Sequence, residues 1–139
     1  MYRPANFAIH ELVSPEIYAQ RGQRGWELLD ERALRALQDL RDRFGRIRIN
    51  DYEFGGKYRY SGFRPPECTV GAKLSQHRFG RAFDCKFHDH TAKEVYHHIV
   101  DNPEDFPLIT TLENIDYTPT WLHMDVRMNP ETGIRIVNP

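Results

Sequence analysis

The stretch Ser75-Gln76-His77-Arg78-Phe79-Gly80-Arg81-Ala82-Phe83-Asp84 decides how this chain reads. It sets an imidazole and a carboxylate on either side of a glycine turn, the carboxylate inside a run that alternates like a strand. In Ala82-Phe83-Asp84-Cys85-Lys86-Phe87 the apolar set Phe83, Cys85 and Phe87 is expected to face a core, which turns Asp84 to the other side. Far downstream, Trp121-Leu122-His123-Met124-Asp125-Val126-Arg127 alternates in the same way. There Leu122, Met124 and Val126 face inward, and Trp121, His123, Asp125 and Arg127 share the opposite face. If the two strands are neighbours, Asp84 and His123 project from one side of one sheet. Gly80 allows a turn tight enough for His77 to come back toward Asp84. Two imidazoles and one carboxylate, with a fourth position open, are the donor set of a catalytic zinc site. The same residues also admit a plain reading, as hydrogen-bonding histidines and a solvated strand aspartate.

Outward from this stretch, two helices are expected. Asp30 is a good N-cap, and Leu34, Leu37, Leu40 and Phe44 follow at three- and four-residue steps before Gly45. Thr91-Ala92-Lys93-Glu94 is a capping box that opens the second helix, with Val95 and Ile99 inward and Pro103 beyond its end. Ser14-Pro15-Glu16 marks a shorter helix start, broken by Gly22 and Gly25. Strands are expected at 46–50, 58–64, 79–87, 108–112, 121–127 and 134–137. Turns at 116–119 and 130–133 join the last three into an antiparallel meander. No repeat or linker interrupts residues 1–139. The expectation is one α+β domain, a small antiparallel sheet with helices packed on one face.

Composition excludes several functions. With 19 basic and 20 acidic residues and a net charge of −1, the chain lacks the bulk charge of a nucleic-acid binder or a cationic membrane-surface module. No apolar run approaches the ~20 residues needed to span a bilayer. Met1 to Asn6 lacks the apolar stretch of a secretory signal, so synthesis in a cytoplasm without export by that route is expected. Cys68 and Cys85 belong to no Cys-x-x-Cys pair and are expected to be reduced. Oligomeric state is left open.

The pattern Ser75-x-His77-x-x-Gly80-x-Ala82-x-Asp84, followed by Trp121-x-His123-x-Asp125, resembles the zinc D-alanyl-D-alanine carboxypeptidase family. Ser61-Gly62-Phe63-Arg64-Pro65 is similar to a further segment of that family. The likeness spans roughly residues 7 to 127. It implies a hedgehog-like metallopeptidase fold, shared with phage endolysins, and a peptide substrate from bacterial peptidoglycan. It further implies that His77, Asp84 and His123 ligate Zn2+. Arg64 would hold the scissile carbonyl or the developing oxyanion, and Ser75 would bind substrate or orient the site. Arg64 as a surface residue and Ser75 as a turn cap are the plainer alternatives.

The general base departs from the family. Several members carry a carboxylate three residues before the last ligand, where this chain has Thr120. Glu113 is the preferred substitute and Asp125 the second, although Asp125 is equally suited to orienting His123 or Arg127. If neither carboxylate is in place, zinc would be a structural staple in a non-enzymatic phage structural or assembly protein. A small metal-free binding module is a third reading. His88, His90, His97 and His98 are not expected to form another metal site, since adjacent helical side chains diverge.

Overall fold

In the computed structural model, which describes residues 1–139, the longest helix sets the frame. Helix α3 (Glu31–Phe44) begins at Asp30, whose carboxylate accepts the Arg32 N–H at 2.9 Å, and ends at Gly45. Its stripe of Leu34, Leu37 and Leu40 is buried. Helix α4 (Ala92–Asp101) is capped by Thr91, whose hydroxyl accepts the Glu94 N–H, and buries Val95 and Ile99. Before them come α1 (Ile9–Leu12) and α2 (Pro15–Arg21), the latter capped by Ser14 as expected. The single turn of α1 is too short to show a helical period. No helix is long and apolar enough to cross a membrane.

Five strands form the sheet: β1 (Ile47–Arg48), β2 (Ala82–Phe87), β3 (Thr111–Glu113), β4 (Leu122–Asp125) and β5 (Arg135–Val137). Their order is β1-β2-β4-β3-β5. The fold is α+β, but the expected all-antiparallel sheet is corrected to a mixed one. The pairs β1–β2, β2–β4 and β3–β4 are antiparallel, whereas β5 runs parallel to β3. The chain does reverse after β4, around Asn129 and Gly133. Both edges of β4 are already taken by β2 and β3, so β5 adds to the free edge of β3. A strand antiparallel to β4 is there necessarily parallel to β3.

A second correction concerns 58–64, which is not a strand. Its one β-bridge to the preceding chain joins Val13 and Phe63, and its other ties there are separate hydrogen bonds, such as Ser61 N–H to Asn50 Oδ1 at 2.9 Å. It still runs beside β2, where Ser61 accepts the Asp84 N–H at 2.8 Å, and this carries Arg64 to the site.

Phe83 and Cys85 from β2, with Leu122 and Met124 from β4, point into one apolar cluster with α3 and α4. All four are fully buried, as the alternation required. The helices therefore cover one face, and the other is free to carry polar groups. Cys68 and Cys85 are both free thiols. Burial pushes the Cys85 thiol well above its ordinary range.

Candidate metal centre

Strand pairing brings two of the three donors together. Asp84 and His123 are direct partners in the antiparallel β2–β4 register, so their side chains leave the sheet side by side. His77 comes from a 3-10 turn, Gln76–Phe79, whose cap is Ser75; its hydroxyl accepts the His77 N–H at 3.3 Å. Gly80 ends that turn with φ +68°, and a Cβ there would lie 2.0 Å from the Leu28 carbonyl oxygen. Only glycine meets both demands, and the chain can then enter β2 directly.

The donor atoms converge. His77 Nε2 is 3.2 Å from Asp84 Oδ1 and 3.3 Å from His123 Nδ1; His123 Nδ1 is 3.0 Å from Asp84 Oδ1. The outer nitrogen of each ring is occupied. His77 Nδ1 donates to the Gly62 carbonyl at 2.9 Å, and His123 Nε2 donates to Asp125 Oδ2 at 2.9 Å. These acceptors assign the tautomers, and in the neutral rings both lone pairs then face Asp84. Three acceptor atoms this close, in a site where both imidazoles are buried, require a cation between them. Without a metal, one proton on His123 Nδ1 meets that need. Burial disfavours charge on His123, but hydrogen bonds to Asp125 and Asp84 outweigh it and raise its pKa. Burial holds His77 below its ordinary value. For Asp84 burial acts upward, yet the two imidazoles prevail and keep it ionised.

The donors also fit a metal. Four ligands at 2.0–2.1 Å from a tetrahedral ion stand about 3.3 Å apart, close to the separations found here. His77, Asp84 and His123 can therefore hold a metal ion. They open onto a groove of about 480 Å³, also lined by Arg64, Ser75, Glu113 and Trp121.

Glu113 and Asp125 occupy different positions. Asp125 is fully buried and does not line the groove; its oxygens are taken by His123 and by Arg127, whose Nε donates to Oδ1 at 2.9 Å. It fixes the His123 ring. Glu113 leaves β3 on the same face, with Oε1 3.5 Å from His123 Nδ1. Burial raises its carboxyl pKa, partly offset by His123. Arg64 is no surface residue: Nε donates to the Tyr60 carbonyl at 2.6 Å and Nη2 to Asp84 Oδ2 at 3.3 Å. Ser75 does cap the turn and also lines the groove. Thr120 is exposed.

Sequence reading missed the carbonyls of Gly62 and Tyr60, because a backbone acceptor has no side-chain signature. The remaining histidines do not gather. His90 faces Glu94 at 3.4 Å, His88 faces Asp89 at 3.9 Å, and His10 packs edge-on against Phe54 and Tyr18.

What fold and site define is an α+β protein whose sheet presents a three-donor centre able to hold a metal ion. No family model matches the chain, and neither a curated protein nor a solved structure does.

Proposed function

We propose that the chain is a zinc-dependent peptidase with the hedgehog-like metallopeptidase fold. Its substrates on this reading are peptide bonds in the stem peptides or cross-links of bacterial peptidoglycan, cut as a carboxypeptidase or endopeptidase in a phage or prophage setting. The observation that carries the reading is the convergence of His77 Nε2, Asp84 Oδ1 and His123 Nδ1, with the outer nitrogens of both rings already committed. The substrate class rests on the likeness of the motifs, since a fold alone does not select a substrate.

Zinc, when bound, supplies Lewis acidity and brings the pKa of water toward neutrality. The chain's own groups do the rest. Glu113, half-buried and with a raised pKa, takes the proton of the attacking water and passes it to the leaving nitrogen. Arg64 presents Nη1 to the carbonyl oxygen as it becomes negative. The Ser75 hydroxyl accepts from His77 N–H, and its own proton is available to substrate. Asp125, held by Arg127, keeps the His123 ring in its tautomer.

Thr120 favours a second reading, a non-catalytic phage structural or assembly protein that keeps the metal as a staple. One experiment separates the two: digestion of purified peptidoglycan with and without chelator, followed by mass analysis of released peptides. Chelator-sensitive release is expected. Unchanged muropeptides in both samples, from protein that carries one metal per chain, would leave the structural reading standing.

A further inference from the structure

Gly71 lies in the loop between Pro65 and Ser75 that lines the groove, and nothing above gives it a role. Its neighbour Arg64 is only 8% exposed. Two of that guanidinium's nitrogens are committed inside the chain, Nε to Tyr60 and Nη2 to Asp84. Nη1 has no partner in the chain. A Cβ built on Gly71 would lie 2.5 Å from Arg64 Nη1 and 3.9 Å from Ser75 Oγ. The backbone at Gly71 has φ +79°, a left-handed conformation that side chains resist. The loop is tied in place by Arg78, beside His77, whose Nη1 donates to the Pro66 carbonyl at 2.8 Å and whose Nη2 donates to that of Cys68.

We propose that Gly71 is a specificity-determining residue: its missing side chain leaves a cradle in which Arg64 Nη1 and the Ser75 hydroxyl receive one oxygen of a bound carboxylate or peptide carbonyl. A methyl group at 2.5 Å from Nη1 is inside contact distance. Either the guanidinium retreats and gives up Asp84, or carbon covers its one uncommitted nitrogen. Both outcomes remove the donor; the first also takes one hydrogen bond from the metal ligand Asp84, and neither removes a ligand itself. The kinetic consequence rests on the peptidase reading; the binding consequence does not.

Gly71→Ala is compared with Gly55→Ala, a glycine at φ +81° with nothing within 4 Å of its added Cβ, so the positive φ is matched and the clash is not. Acetate is titrated into the full chain, with zinc and with chelator, following the Arg64 guanidinium resonances by NMR. Wild type and Gly55→Ala should shift saturably, and Gly71→Ala should bind acetate about ten- to hundredfold more weakly, as for one lost hydrogen bond to a charged group. Zinc content should be equal in all three. In peptide cleavage, kcat/KM should fall by a similar factor in Gly71→Ala, and Arg64→Ala/Gly71→Ala should be no worse than Arg64→Ala alone. Ser75→Ala reads the cradle from its other wall and should also weaken acetate, should Gly71→Ala not fold. Acetate binding by Gly71→Ala equal to that of Gly55→Ala, additive losses in the double variant, or no acetate response in wild type would each overturn the proposal. If cleavage is absent in wild type, the peptidase reading fails, while the acetate titration still decides Gly71.

Discussion

Strands β2 and β4 present two faces built from alternate residues, and the faces are held by different physics. On one, Phe83, Cys85, Leu122 and Met124 meet α3 and α4 in the core. On the other, Asp84, His123 and Asp125 lie among partners at 2.9–3.2 Å. The first face is stabilised by apolar burial, which has no preferred direction and tolerates swaps of similar volume. The second depends on the direction of each donor and acceptor, so exchanging one atom there rearranges protons or charge. Damage to the first face should therefore appear as lost stability, and damage to the second as lost metal or activity in a folded protein.

The largest effect is expected for the donors. His77→Ala should reduce zinc from one per chain to none by elemental analysis and abolish cleavage, while circular dichroism stays native. Zinc retained at full stoichiometry would contradict the assignment of the donors. Glu113→Gln should keep the zinc and lower kcat by roughly 10²–10⁴-fold, the range of a lost general base. A value within a few-fold of wild type would move the proton-transfer role elsewhere. The core face answers differently: Leu122→Ala should cost about 2–5 kcal/mol in urea unfolding and leave the zinc affinity of the folded fraction unchanged. Asp125→Asn tests the link between the faces, because Asp125 is fully buried yet serves the polar side. It should weaken zinc binding by about 10–100-fold in competition titrations, with Glu113 still able to act. The smallest effect is expected at Asp30, whose carboxylate pairs with Arg32 and Arg81 and touches none of the three donors. Asp30→Ala should cost about 1 kcal/mol as a lost helix cap. The hydrogen bonds from Arg32 hold the Asp30 carboxyl below its ordinary range. Its contribution is thus present above the unfolded-state pKa near 4 and is lost as pH falls through the lower folded value. An acid unfolding curve unchanged by the substitution would remove Asp30 from that role.

Much of this was legible in local pattern. The caps at Asp30 and Thr91 and the leucine stripe between Leu34 and Leu40 placed α3 and α4 correctly. Alternation in β2 and β4 sorted Asp84 and His123 onto the polar face before their pairing was known. Local pattern failed where position depends on a distant partner. Tyr58 to Arg64 has the aromatic alternation of a strand, but its backbone is taken up piecemeal, by Leu12 at Phe63 and by His77 at Arg64. The parallel placement of β5 followed from which sheet edge remained free. Glu113 and Asp125 were both named, yet only tertiary packing separates a carboxylate in the groove from one sealed beneath it.

By itself the sequence determined periodicity, caps and the chemical kinds of donor on offer, because these depend on residues a few positions apart. Tertiary structure decided which atoms of those donors meet, which nitrogen of each imidazole is spent on Gly62 or Asp125, and which carboxylate stays accessible. Those outcomes depend on directions in space between groups up to 46 residues apart, as from His77 to His123, and only the closed sheet and its flanking turns bring such groups within bonding reach.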